Sequence, residues 1–184
     1  MCYVFRPMET IRATPRYGRA IAAIRDLLAR LRIESMFAGN VARAAWLGEE
    51  VTHGSIDVIA LMKPEQKNQV AMMASNRGFR VDREQIEQSE ELDLVPLNFI
   101  DDDGEVRVHV LVASNALYGT MVAAGRPAMI GDVEVKIPTA EDMALLLAMS
   151  EDDVALRRIT SSSDFDRIAY NRKLVSIGLK EHVV

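Results

Sequence analysis

Residues 35–61 decide the fold, and they read SMFAGNVARAAWLGEEVTHGSIDVIAL. The apolar run at 35–38 predicts a short strand, and Gly39-Asn40 predicts a tight turn into a helix over 41–47. Gly48 is expected to end that helix, because glycine readily takes the left-handed backbone that follows a helix C-terminus. The β-branched residues of 55–61 then predict a buried strand. The stretch is therefore interpreted as strand, helix and strand, with a glycine at each end of the helix.

An amphipathic helix precedes this stretch, and a mixed set of elements follows it. Apolar residues recur at helical spacing over 16–32, and 66–76 predicts another helix with Val70, Met72 and Met73 facing inward. The acidic turn at 101–104 joins predicted strands at 92–100 and 106–112, and a turn at 131–132 joins strands at 128–130 and 133–137. This order predicts an α/β or α+β fold, a mixed sheet flanked by helices.

The chain after residue 138 is predicted to be helical. Thr139 is the expected N-cap of a helix that carries Asp142 at the capping-box position, and periodic segments follow at 143–149, 152–159 and 164–177. We expect Leu145, Leu146 and Ile168 to pack these helices onto the sheet. The prediction is a single domain over 1–184, composed of an N-terminal arm (1–15), a core (16–138) and C-terminal helices (139–184).

Composition and charge exclude several classes of protein. The chain has 22 Lys and Arg against 27 Asp and Glu, a net charge of −5, so nucleic acid could bind only at a local basic patch. The C-terminal helices are locally basic, and they form either such a patch or a solvated surface with salt bridges; their basic residues are Arg157, Arg158, Arg167, Arg172 and Lys173. The single cysteine forms no internal disulfide, and no apolar run suits a signal peptide or a membrane span. We therefore expect a cytoplasmic protein.

The order of the motifs resembles that of the minimal nucleotidyltransferase superfamily, particularly its bacterial branch of abortive-infection toxins. That family's pattern is Gly-Gly or Gly-Ser, a helix, a glycine and then Asp-x-Asp on a strand; here Gly39-Asn40, Gly48 and Ser55-Ile56-Asp57 follow in that order. Val106-Arg107-Val108-His109-Val110-Leu111 is similar to the strand that bears the family's third carboxylate. Ile137-Pro138-Thr139-Ala140-Glu141-Asp142 is similar to its later helix start.

The resemblance implies a nucleotidyltransferase-like fold, a nucleoside triphosphate as ligand and a set of site residues. Gly39, Asn40 and Arg43 would bind the nucleotide, because backbone N–H groups at a helix start can approach phosphates. Carboxylates on neighbouring strands would hold two divalent cations that bridge the triphosphate and activate the attacking oxygen. Asp57 matches the second carboxylate of the family, whereas Ser55 stands at the first and His109 at the third.

The two replaced carboxylates predict weak or lost transfer. Mg²⁺ prefers hard oxygen ligands and needs charge compensation, which one carboxylate, a hydroxyl and a neutral imidazole supply poorly. Mg²⁺ is therefore the expected cofactor only if the protein is active, and otherwise none is expected. Other interpretations stay open. A set of His53, Asp57 and His109 would suit a transition metal. Asp57 can equally be a structural carboxylate, and His109 a hydrogen-bonded strand histidine.

Three functions follow from these residues and from the resemblance. The first is a nucleotidyltransferase-fold protein with a degenerate metal site, kept for binding a nucleotide or a partner. The second is an active enzyme that moves a nucleoside monophosphate from a triphosphate to a hydroxyl of a small molecule, a protein or RNA. The third is a non-enzymatic interaction module of a toxin–antitoxin or defence pair, which binds a protein partner.

Overall fold

A computed structural model describes residues 10–81 and 93–178, in which strands and helices alternate as far as β4, two hairpins separated by a helix follow, and three helices end the described chain. The strands are β1 (Thr10–Ile11), β2 (Glu34–Ala38), β3 (Ile56–Leu61), β4 (Phe79–Arg80), β5 (Leu94–Asp101), β6 (Gly104–Val112), β7 (Arg126–Ile130) and β8 (Val133–Ile137). The helices are α1 (Pro15–Arg30), α2 (Gly39–Leu47), α3 (Gln66–Ser75), α4 (Ala116–Ala124), α5 (Ala140–Met149), α6 (Asp153–Thr160) and α7 (Arg167–Ser176). The mixed α/β prediction is confirmed.

Parallel pairing of β3 with β6 forms the middle of the larger sheet. Its strand order is β2-β3-β6-β5-β4, and the other neighbouring pairs are antiparallel. Both predicted hairpins are present: β5 turns into β6, and β7 turns into β8 through Gly131-Asp132. The predicted start of the first hairpin, at Leu92, lies outside the described residues.

One face of this sheet forms the main hydrophobic core with α1 and α3. Val106, Val108 and Val110 alternate along β6 and are almost fully buried, as strand geometry requires of one face. Helix α1 contacts β6, α3 contacts β5, and the two helices contact each other. Burial of each large aliphatic side chain stabilises the fold by about 1.5–3 kcal/mol. The opposite face of β6, which carries His109 and Leu111, is only partly buried.

The described part of the N-terminal arm is ordered by pairing with later strands. β1 pairs in parallel with β7, the middle strand of a second sheet of order β1-β7-β8, and Ala13 forms a bridge with Val51. Helix α1 begins inside the predicted arm, at Pro15, because proline suits the first turn of a helix. Residues 1–9 of the arm lie outside the described part of the chain.

Two predicted core residues are wrong. Met72 of α3 and Ile168 of α7 were expected to pack inward, but they are 64% and 65% exposed. Both helices carry apolar residues on more than one face, so the sequence pattern does not decide which face the rest of the chain covers. The buried apolar residues are instead Val70, Ala71 and Ala74 in α3 and Tyr170 and Leu174 in α7.

The C-terminal helices are anchored by a buried carboxylate. Thr139 caps α5 as predicted, since its Oγ1 accepts the Asp142 N–H at 3.3 Å. The Asp142 carboxylate does not make the expected bond back to the capping residue's N–H; it accepts the Thr139 hydroxyl at 3.1 Å and pairs with Lys173 of α7. Leu145 is fully buried and Leu146 partly so. Lys173 therefore belongs to the interior contact of α5 with α7 rather than to a free basic surface.

Across residues 10–81 and 93–178, none of the helices has the length and apolar character needed to cross a lipid bilayer.

Candidate functional site

Asp57 and His109 face each other across the parallel pair of central strands. They are register partners of β3 and β6, and His109 Nδ1 lies 2.9 Å from Asp57 Oδ1. Because a carboxylate only accepts hydrogen bonds, Nδ1 is the donor in this contact. Ser55 completes the group, since its hydroxyl lies 3.1 Å and 3.3 Å from the two Asp57 oxygens. Ser55, Asp57 and His109 thus form one hydrogen-bonded cluster.

The Gly39-Asn40 turn lies directly against this cluster. Gly39 has φ of +52°, and a Cβ placed on it would be 2.2 Å from Asp57 Oδ2. Any residue larger than glycine would collide with the carboxylate there, and the left-handed backbone independently favours glycine. The turn can therefore approach Asp57 this closely only because Gly39 has no side chain.

The loop before β3 is held by contacts on both sides. Gly54 has φ of +85°, and a Cβ placed on it would lie 2.1 Å from the Asn40 Nδ2. The Tyr17 hydroxyl donates a hydrogen bond of 2.7 Å to the Gly54 carbonyl. Burial raises the pKa of Tyr17, although the charges of Arg16 and Arg107 act in the opposite direction. The loop thus joins Asn40 to the buried side of α1.

A cavity of about 480 Å³ opens beside the cluster. Its polar end contains the start of α2, whose first turn has no side-chain cap, together with Asp57 and His109. Its other walls are mainly apolar and come from β3, β5, β6, α4 and α5. Those apolar and aromatic residues are Ile59, Leu94, Leu111, Tyr118, Met143, Leu146 and Leu147. A cavity with an apolar body and a few convergent polar groups is the usual form of a small-molecule site.

Arg43 reaches the cavity but is already engaged in ion pairs. Its Nη1 lies 2.6 Å from Glu49 Oε2 and its Nε lies 3.2 Å from Asp152 Oδ2. Asp152 also lines the cavity. The sequence gives no signal for this arrangement, because Asp152 is 109 residues from Arg43 and the acidic pair at 49–50 is typical of a solvated loop.

In the described part of the chain, His53 is not brought together with Asp57 and His109, the set that would suit a transition metal. His53 lies in the exposed loop before β3, where its Nδ1 contacts Thr52 Oγ1 at 2.8 Å. In the described ranges, no three His, Cys, Asp or Glu side chains come close enough together to hold a metal ion. Side chains alternate between the two faces of a strand, so a strand that included residue 53 would carry His53 on the same face as Asp57. Because β3 begins only at Ile56, this alternation does not extend to His53.

The two Mg²⁺ ions that the resemblance implies do not fit this donor set. Asp57 is the only carboxylate of the cluster, and both its oxygens accept hydrogen bonds from protein side chains. Mg²⁺ demands near-octahedral oxygen ligands, which an imidazole and a single hydroxyl do not replace. The second carboxylate on the cavity wall, Asp152, pairs with Arg43 and caps α6 by accepting the Ala155 N–H at 3.1 Å.

Similarity to known proteins is found in structure and not in sequence. No family model matches the sequence, and neither does any curated protein. The lincosamide antibiotic adenylyltransferase LnuA, solved with lincomycin bound, superposes with a TM-score of 0.51 at 12% identity, over 78% of this chain and 96% of that one. ANT(2″)-Ia in complex with adenylyl-2″-tobramycin gives 0.50 at 16% identity, over 85% and 94% of the two chains. At such identities the likeness concerns the fold alone, and the chain has the nucleotidyltransferase fold.

Proposed function

We propose that this protein binds a nucleotide or nucleoside in the cavity beside Asp57 and has lost most of the metal-dependent transfer chemistry of its fold. The observation that carries the proposal is the cluster of Ser55, Asp57 and His109. Hydroxyl and imidazole donors satisfy the one carboxylate where the resembled family has three carboxylates. The protein is proposed to be a binding protein of nucleotidyltransferase fold rather than an efficient transferase.

The charge of the cluster supports the loss of transfer. Two divalent cations need several anionic oxygens to offset their dehydration, and the present trio offers one carboxylate. Without firmly held cations, the triphosphate would lack its clamp and the attacking oxygen its activation. His109 Nδ1 donates a hydrogen bond to Asp57, so this carboxylate has a partner without any metal ion.

The shape of the cavity supports retained binding. Its apolar walls suit the flat face of a base, with Tyr118 as an aromatic contact. The uncapped first turn of α2 supplies backbone N–H groups and a positive helix end for a polar or anionic group. Two of the structural neighbours are an adenylyltransferase and a protein in complex with adenylyl-2″-tobramycin, which makes an adenine-containing ligand the first to test.

Methyl-labelled NMR with adenosine tests the proposal. We expect adenosine to shift the methyl signals of Met143, Leu146 and Leu147, with the same affinity whether Mg²⁺ is present or chelated. Leu146→Trp fills the cavity from its wall and is expected to weaken binding at least about tenfold, which is about 1.4 kcal/mol. Met149→Trp is the matched control, because Met149 lies on the same helix but is 55% exposed and outside the cavity lining.

Two results would count against nucleotide binding. One is an absence of shifts in the cavity methyls at saturating adenosine. The other is equal weakening by Leu146→Trp and Met149→Trp, which would place the ligand elsewhere or reflect a general loss of structure. Co-purification of a second chain together with such a result would move the function to a protein partner.

A further inference from the structure

Arg43 is held by carboxylates on two sides of its guanidinium group. Nη1 pairs with Glu49 at 2.6 Å and Nε pairs with Asp152 at 3.2 Å. The side chains of all three residues are about one-third exposed, at 34%, 35% and 35%, so water screens these pairs only in part. The charge of the arginine that lines the cavity is therefore already compensated within the protein.

Both carboxylates are themselves fixed by further partners. The other oxygen of Glu49 pairs with Arg158 Nη1 at 2.5 Å, and Arg158 also donates to the Leu47 carbonyl at 3.1 Å. Asp152 caps α6 through the Ala155 N–H. Releasing Arg43 toward a ligand would thus leave carboxylates without one of their partners. A network of this kind costs more to open than an isolated surface pair.

The rest of the cavity lining has no second basic side chain among the described residues. Among the described residues that line it, Arg43 is the only arginine or lysine, whereas Asp57 and Asp152 are both acidic. A triphosphate carries several negative charges and needs cations within a few ångströms. We infer that Glu49 and Asp152 hold Arg43 so that this cavity excludes polyphosphates and accepts a nucleoside or another ligand of low charge. In its choice of ligand, this inference rests on the proposed function.

The experiment uses two probes and five forms of the protein. Tripolyphosphate and adenosine are titrated separately by calorimetry in metal-free buffer, so that no cation neutralises the phosphates. The double variant Glu49→Gln with Asp152→Asn removes both charges that hold Arg43. Its matched control is Glu50→Gln with Asp153→Asn, which makes the same change in net charge one residue away, at exposed positions outside the cavity lining.

We expect tripolyphosphate to bind the Glu49→Gln, Asp152→Asn protein at least about tenfold more tightly than the wild type or the control, as expected of one freed, partly screened charge. Adding Arg43→Gln to this variant is expected to abolish the gain. Asp152→Asn alone gives a smaller gain in the same direction, and the helix keeps its cap because asparagine is as good an N-cap as aspartate. This single variant also serves if the double variant folds poorly.

The two probes separate the inference from the proposed function. Wild-type protein that binds tripolyphosphate as tightly as the double variant would overturn the inference, and so would a gain that survives Arg43→Gln. Failure of adenosine to bind the wild type counts against the proposed function. The inference would still stand if the tripolyphosphate pattern held.

Discussion

Gly39 is the residue whose identity most constrains the site. Its positive φ and the 2.2 Å separation between a hypothetical Cβ and Asp57 Oδ2 are independent demands for glycine. Gly48, at the other end of α2, makes only the first demand, since its φ is +67° but a Cβ there would meet nothing within 4 Å. Glycine is thus required at Gly48 only by the backbone conformation, whereas at Gly39 it is required by both the backbone conformation and the packing against Asp57.

We predict that Gly39→Ala destabilises the protein by roughly 1–2 kcal/mol more than Gly48→Ala. The backbone cost of a left-handed alanine is about 1–2 kcal/mol and is common to both variants, whereas the collision with Asp57 arises only at Gly39. Urea denaturation of the two variants and the wild type measures the difference. Equal loss of unfolding free energy would mean that Asp57 moves aside freely, so the close approach would have no part in shaping the site.

Strand alternation and motif order predict which site residues lie together, but they do not predict every contact of those residues. They predict that Asp57 and His109 lie on neighbouring strands beside the Gly39-Asn40 turn, and the structure has them 2.9 Å apart. The roles of these residues stay predictions. The pairing of Arg43 with Asp152 could not be predicted, because a contact across 109 residues depends on how α6 packs beside α2.

Among contacts between secondary-structure elements, ion pairs join helix α1 to the turn of the β5–β6 hairpin. Arg19 Nε donates to Asp101 Oδ2 at 2.8 Å and its Nη2 pairs with Asp103, while Arg16 donates to the Asp103 carbonyl at 3.0 Å. Burial acts to raise the pKa of Asp101, but the hydrogen bonds from Arg19 and the Asp103 N–H outweigh it, so the pKa lies below its ordinary value of 3.8. The acidic turn is therefore more than a solvated hairpin.

This lowered pKa predicts a pH dependence of stability. A carboxylate whose pKa is lower in the folded state stabilises the fold above its unfolded pKa, and this contribution is lost as pH falls through the folded value. Asp101→Asn is therefore expected to lower the free energy of unfolding at pH 7. Between pH 5 and the acid limit, this free energy should fall less steeply with decreasing pH in the variant than in the wild type. Urea denaturation over this pH range measures both effects. Asp132→Asn, in the exposed β7–β8 turn, should leave the wild-type slope unchanged; parallel slopes for Asp101→Asn would contradict the assignment.

Elements with clear periodicity could be predicted, and α4 could not. Residues 116–124 read ALYGTMVAA, an almost wholly apolar segment with Gly119 in its middle and no polar face to mark a helical period. Its one clear signal is local: Asn115 caps the helix by accepting the Tyr118 N–H at 2.9 Å. The sequence does not predict which faces of α3 and α7 are exposed, for the related reason that tertiary packing chooses between apolar faces.

At the scale of the whole molecule, contacts join the C-terminal helices to the core. Arg43 of α2 pairs with Asp152 at the start of α6, and Arg158 of α6 pairs with Glu49. Met143 and Leu145 of α5 are buried, so removal of this helix would expose their neighbours in the core. These contacts support the prediction that residues 139–177 fold together with the sheet.

We therefore predict that a fragment ending at residue 138 does not fold cooperatively. Circular dichroism during thermal unfolding is the measurement, and the full chain should show one sigmoidal transition while the fragment shows none. The reason is that the fragment loses the apolar surface of α5 and the partners of α2 while retaining the chain entropy of the sheet. A fragment that unfolds in a single transition at the temperature of the full chain would show that the C-terminal helices are a separate unit.

We expect that the cluster of Ser55, Asp57 and His109 does not hold divalent metal ions, and Mn²⁺ binding followed by EPR measures this. Wild-type protein and Asp57→Asn should give the same weak, unsaturated titration. Ser55→Asp with His109→Asp should create a saturable site at least about tenfold tighter, because three carboxylates then converge where one stands now. Saturable Mn²⁺ binding by the wild type that disappears in Asp57→Asn would show that the cluster holds metal and would support an active transferase.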